Sequence, residues 1–185
     1  MNRPSAAVAT AIFLSSLAGT IASAEPVDET LEIDGVEMIT RAPSSEGHPF
    51  EEVLSGWLFH EAETRATQMD SFENPGMLAV ERGGEIWNTV EGAMGKSCAS
   101  CHDDAAASMK DVGANYPKWD ADAKRPINIE LQIDKCRVEN MGAEAYKFDD
   151  PDQVALASFI KHQSLGTPVK LDLGQGEMQS WWDKG

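Results

Sequence analysis

The stretch that most constrains this chain is Cys98-Ala99-Ser100-Cys101-His102. Thiols three positions apart face the same side of one helical turn, and a histidine directly behind them can reach an ion held there. This is the spacing at which a c-type haem is attached, with Cys98 and Cys101 forming thioethers to its two vinyl-derived carbons and His102 taking the iron. A thioredoxin-like redox pair needs no such histidine, and a zinc site would need a second cysteine pair that the chain does not have. The motif therefore calls for one covalently bound haem c, with its iron, as a large part of the core.

Residues 1–24 carry one positive charge at Arg3, an Ala/Leu/Ile-rich run to Ile21 and then Ala22-Ser23-Ala24. That pattern is a signal peptide cleaved after Ala24, and the Ser and Thr interruptions argue against a permanent membrane anchor. Export agrees with the haem motif, because thioether attachment follows translocation; in a bacterium the compartment is the periplasm. Fifteen Lys plus Arg against 31 Asp plus Glu give a net charge of -16, and losing Arg3 takes it to -17. Such a field disfavours nucleic acid and anionic lipid and suits a partner with a basic face. Of three cysteines the haem uses two, which leaves Cys136 unpaired in an oxidising compartment: protected, bonded to another chain, or functional.

The length leaves room for one ordinary domain plus extensions. Residues 25–72 read as an N-terminal arm followed by an amphipathic helix. Pro49 with Glu51 and Glu52 resembles a helix start, and Phe50, Val53, Leu54, Trp57, Leu58 and Ala62 recur at helical spacing. His60 is off that stripe and reads as a surface histidine. Residues 73–168 read as a mainly α, cytochrome c-like haem domain with long loops, since no strand alternation stands out. Asn74-Pro75 opens a helix running through Val80, Gly83, Gly84 and Trp87, whose glycines allow another helix close. Asp150-Pro151 opens a second through Val154, Ala157 and Ile160, stopping near Gly166 and Pro168. Small haem proteins of the cytochrome c type cross their first and last helices in this way. His162, in the last turn with Lys161, suits the helix dipole better than the iron. Tyr116-Pro117-Lys118-Trp119 offers aromatic bulk for a pocket wall, and Ile129, Ile133 and Cys136 share one helix face, so the thiol points inward. Residues 169–185 read as a linker around Gly174-Gln175-Gly176 and the opening of a further helix at Trp181-Trp182-Asp183-Lys184.

The second axial ligand decides the haem's role. Met141 stands 39 residues beyond His102, where an electron-carrying cytochrome places a methionine that raises the potential. Cys136 stands 34 residues beyond it, and its thiolate would favour ferric iron and a low potential. Met109 is too close to the motif to wrap round the porphyrin. The residues alone leave Cys136 and Met141 both open. Arg125 and Lys110 could steer an anion such as thiosulfate, but propionate pairing or plain surface charge accounts for them better.

The order of motifs resembles the SoxA family, the cytochrome subunit of the SoxAX complex in bacterial sulfur oxidation. The residues that carry this are Phe72-Glu73-Asn74-Pro75-Gly76-Met77, Glu81-Arg82-Gly83 with Trp87, Lys96-Ser97-Cys98-Ala99-Ser100-Cys101-His102, Tyr116-Pro117, and Arg125-Pro126-Ile127-Asn128 leading to Cys136-Arg137. The resemblance implies a haem held by Cys98 and Cys101, with His102 proximal and the thiolate of Cys136 distal. It implies a SoxX-like cytochrome partner and a SoxYZ-like carrier whose cysteine is oxidatively joined to thiosulfate, the L-cysteine S-thiosulfotransferase reaction. Family members continue into a second cytochrome-like domain with the catalytic haem, so the expectation is that this chain holds the N-terminal haem half and lacks the catalytic one. The competing expectations are a stand-alone periplasmic electron-transfer cytochrome and a haem sensor in which Cys136 leaves the iron on reduction.

Overall fold

The computed structural model describes residues 25–173 and 176–184; the expected signal peptide, residues 1–24, and the first two residues of the Gly174-Gln175-Gly176 linker lie outside them. Two helices form the centre of the haem-motif region, α2 (Gly76–Asn88) and α6 (Pro151–His162). Both start where their sequences specify a start. The Asn74 side-chain oxygen accepts from the Gly76 N–H at 2.9 Å, and the Asp150 carboxylate accepts from the Asp152 N–H at 3.0 Å, with Pro151 in the first turn.

The two helices cross at Gly83. A methyl group at that position would overlap the Ala155 carbonyl oxygen and lie 2.5 Å from Phe159 Cβ, so only glycine lets the backbones approach this closely. Around the crossing Ile86, Trp87, Leu156 and Ile160 are buried, each worth about 1.5–3 kcal/mol on leaving water. The Arg82 guanidinium bonds both Asp152 oxygens at 3.0 and 3.1 Å across the same crossing, in water where such pairs add little.

Helix α5 (Ile129–Cys136) lies against α6. Asn128 caps it, its side-chain oxygen accepting from the Leu131 N–H at 3.0 Å, and Ile129 and Ile133 face the core. Gln153 on α6 donates to the Asp134 carboxylate (2.8 Å) and the Glu130 carbonyl (3.2 Å), and Lys161 reaches Glu130 at 2.7 Å. The helix then widens into a π-helical turn, Arg137–Met141, closed by Gly142.

Short β elements were not expected, and the structure corrects that reading. A hairpin of β5 (Lys118–Asp120) and β6 (Arg125–Ile127) braces α5: the Asp120 carboxylate accepts from the N–H groups of Ala123 (2.7 Å) and Asp122 (3.0 Å) and from Lys135 Nζ (2.9 Å). The Ala123 N–H, together with Lys135, holds this carboxyl below the usual carboxylate range. Its stabilisation is complete above the ordinary carboxylate pKa and is lost as pH falls through its own lower value. Helix α7 (Glu177–Trp182) rests on this hairpin through buried Met178, so Trp181 and Trp182 close a helix that Glu177 opens.

The N-terminal region also differs from expectation. Residues 49–62 form no continuous amphipathic helix. Instead β3 (Arg41–Pro43) pairs with β4 (Glu52–Leu54), a 3-10 turn covers Gly56–Phe59, and α1 runs Ala62–Met69. Ser55 and Gly56 break the run, with the Ser55 hydroxyl accepting from the Trp57 N–H at 3.3 Å. Trp57 and Leu58 of the expected stripe are nonetheless buried. Ahead of them, β1 (Leu31–Ile33) and β2 (Val36–Met38) form a hairpin closed by Asp34-Gly35, both at positive φ. The region is knitted by Arg65, buried over the Trp57 ring, which bonds Glu29 at 2.8 and 3.2 Å and the His60 carbonyl at 2.5 Å. Among the described residues no helix is long and apolar enough to cross a membrane.

Candidate haem site

The motif sits on α3 (Ala99–His102), a single turn held at both ends. At its start Ser97 and Ser100 cap each other: the Ser97 N–H donates to the Ser100 hydroxyl at 2.9 Å and the Ser100 N–H to the Ser97 hydroxyl at 3.1 Å. The Cys98 carbonyl accepts from the N–H groups of Cys101 (3.2 Å) and His102 (3.0 Å), which presents the two thiols and the imidazole from one turn. At its end Asp103 adopts a positive φ of 52°, and its carbonyl accepts from the Trp87 indole N–H at 3.0 Å. The Trp87 ring lies 5.9 Å from that of His102. A core tryptophan of α2 thus fixes where the motif ends.

A cavity of about 540 Å³ opens beside α3, within the range of ~300–1,000 Å³ common for cofactor sites. Cys98, Cys101 and His102 line it, and so do Cys136 and Met141 from α5 and the π-helical turn. Leu156 and Ile160 of α6 give it an apolar floor. The i to i+5 ladder of the π turn carries Met141 round to the side on which Cys136 already lies.

The closeness of these groups has an electrostatic consequence. Burial, then the charge of Glu91, pushes the Cys98 thiol up to about 11, and a Cys136 thiolate would push it in the same direction. Burial, and then the same Cys136 charge, raises the Tyr116 hydroxyl. One buried cation serves this wall. Arg137 lies 3.7 Å over the Tyr146 ring, donates to the Tyr146 hydroxyl (2.9 Å) and the Glu144 carbonyl (3.1 Å), and pairs with Glu91.

The donor set fits a haem c. Two thiols and an imidazole stand on one helical turn, a thiol and a thioether come from other elements, and the floor is apolar. The structure brings Cys98, Cys101, His102 and Cys136 to a single cavity. It also brings Met141 and Met109, so proximity does not separate the two candidate axial sulfurs. His60 is exposed and His162 ends α6 away from the lining, and Lys110 and Arg125, both exposed, also lie outside it. The lining cations are Lys96 and Arg137. Sequence reading missed Arg137 as a wall residue, the Ser97/Ser100 cap and Gln132. The cap was readable as Ser-x-x-Ser, and Gln132 as the residue one helical turn before Cys136.

Comparison with known proteins agrees with this geometry. A family model described as SoxA/TsdA, cytochrome c domain, matches residues 82–169. The chain is 77% identical over 164 residues to the L-cysteine S-thiosulfotransferase subunit SoxA of Pseudaminobacter salicylatoxidans, covering 89% of this chain and 57% of that protein. It is 38% identical to the protein of the same name from Rhodovulum sulfidophilum, covering 92% and 60%. A chain in the crystal structure of SoxXA from P. pantotrophus superposes with a TM-score of 0.77 at 31% identity, covering 86% of this chain and 62% of that one. The chain thus spans about three fifths of the length of the curated relatives it matches. Its mainly α cytochrome c domain and its motif agree with those relatives, and over the part it covers the chain is similar to the SoxA family.

Proposed function

We propose that this chain supplies a haem-bearing domain to a periplasmic SoxAX-type complex, in which Cys98 and Cys101 would attach one haem c and His102 and Cys136 would bind its iron. The observation that carries this is the convergence of all four side chains on one cavity. When bound, the haem supplies a one-electron couple, and a thiolate ligand makes that couple low in potential. The protein's part is to fix the ligands. Trp87 and the Ser97/Ser100 cap hold the His102 turn, while α5, anchored by Asn128 and the hairpin, holds Cys136.

At the level of the complex, the reaction is the oxidative joining of thiosulfate to a cysteine of a SoxYZ-like carrier. The thiol loses its proton, a sulfur–sulfur bond forms, and two electrons leave for an acceptor. A SoxX-like cytochrome is the proposed partner, and the acidity of the chain, net -16, suits a basic face on whatever docks with it. The test combines the complete native protein with its cytochrome partner, carrier, thiosulfate and an oxidised electron acceptor. A thiosulfonate adduct on the carrier cysteine, formed in step with two-electron reduction of the acceptor, is expected. Electron exchange with the acceptor but no adduct would instead make the chain a simple electron carrier.

A further inference from the structure

We propose that Gln132 is a positioning residue for the distal ligand, donating a hydrogen bond from its carboxamide to the Cys136 sulfur and so setting how strongly that sulfur gives electron density to the iron. The inference rests on the reading of Cys136 as the axial ligand. Gln132 and Cys136 stand four apart on α5, hence on one face, and both line the cavity. Gln132 Nε2 lies 3.4 Å from Cys136 Sγ. Among the described residues its carboxamide has no second partner, whereas Gln153 on the neighbouring helix spends its amide on Glu130 and Asp134. The two cations that flank Cys136 in sequence are both committed elsewhere, Lys135 to Asp120 and Asp122 and Arg137 to Glu91, Glu144 and Tyr146, and neither bonds the thiol.

The direction of the effect follows from charge. A donor on an anionic sulfur withdraws density that the sulfur would otherwise give to the metal. That bond strengthens when the iron–sulfur unit gains an electron and becomes more negative. Gln132 therefore favours the reduced state over the oxidised one, and it also holds Cys136 in one rotamer. A glutamine that only filled space at this position would do neither.

The test uses the haem-loaded full-length protein. Gln132→Met keeps the length and helix preference of the side chain and removes the N–H. The expected result is a redox equilibrium shifted about tenfold towards the ferric form, ~59 mV lower for a one-electron couple, with the sulfur-to-iron charge-transfer band moved to lower energy and the unfolding transition unchanged. Gln132→Glu, which replaces the donor by an acceptor, should move both readouts further the same way. A potential and band identical to those of the wild type in Gln132→Met would overturn the proposal. A second measurement needs no variant: the iron–sulfur stretching frequency should move on exchange into deuterium oxide, and an unmoved frequency overturns the proposal equally. A wild-type protein with no sulfur-to-iron band would fail differently, defeating the axial assignment of Cys136 and this inference with it.

Discussion

Replacing Gly83 by alanine should destabilise the folded domain by about 3 kcal/mol or more, at the upper end of what overpacking costs. The added methyl meets the backbone carbonyl of Ala155 and the Cβ of Phe159, neither of which can rotate away. Helices α2 and α6 must then part, and Ile86, Trp87, Leu156 and Ile160 lose contact together. For a domain of this size the expected fall in Tm is ~6–12 °C. Gly84→Ala is the internal control. Its methyl would touch only the Phe159 ring, at 3.3 Å, and a ring can turn, so thermal unfolding should move little. Equal effects at the two positions would refute the account of the crossing.

Arg137→Ala is the second large effect. The guanidinium is buried, ties Glu91 to the Tyr146 ring and hydroxyl, and bonds the Glu144 carbonyl. Removing one partner of a buried ion pair costs roughly 3–5 kcal/mol, and the partial exposure of Glu91, 29%, brings the expectation to about 2–3 kcal/mol. Arg137→Lys should recover little of this, because one ammonium cannot serve a carboxylate, a carbonyl and an aromatic face at once. Arg137→Met combined with Glu91→Gln should recover more than either lysine or methionine alone. Denaturant unfolding of the four variants measures these differences, and full rescue by lysine would show that charge alone, and not the planar fork, is what the wall requires.

The parts of this fold that could be read in the sequence are those fixed locally. Asp150-Pro151 and Asn128 are caps whose side chains satisfy N–H groups a few residues away, so α6 and α5 begin at those caps. The Gly83 crossing was likewise legible, because a glycine in a helical stripe announces a close neighbour. The N-terminal region was not. Its strands are three residues long, too short for an alternating period, and the stripe from Phe50 to Ala62 matched helical spacing across a Ser55-Gly56 break. The Asp34-Gly35 dipeptide, both residues at positive φ, is the local mark of the first hairpin, but it lies in a polar stretch that reads as an arm.

At the site, the His102 turn was legible as a motif, whereas the relation between Cys136 and Met141 was not. Counting residues from His102 places both at reasonable distances. Only the π-helical turn, which has no clear mark in composition, brings both to the same cavity. The Gln132 contact likewise depends on where α5 starts, and hence on Asn128.

The most direct test of the central claim is the near-infrared magnetic circular dichroism of the ferric full-length protein, wild type beside Cys136→Met. The account predicts a sulfur-to-iron charge-transfer band characteristic of a thiolate in the wild type, its loss in the variant, and a markedly higher haem potential once a thioether replaces the thiolate. An unchanged spectrum and potential after the substitution would take Cys136 off the iron and leave Met141 as the sulfur the cavity offers in its place.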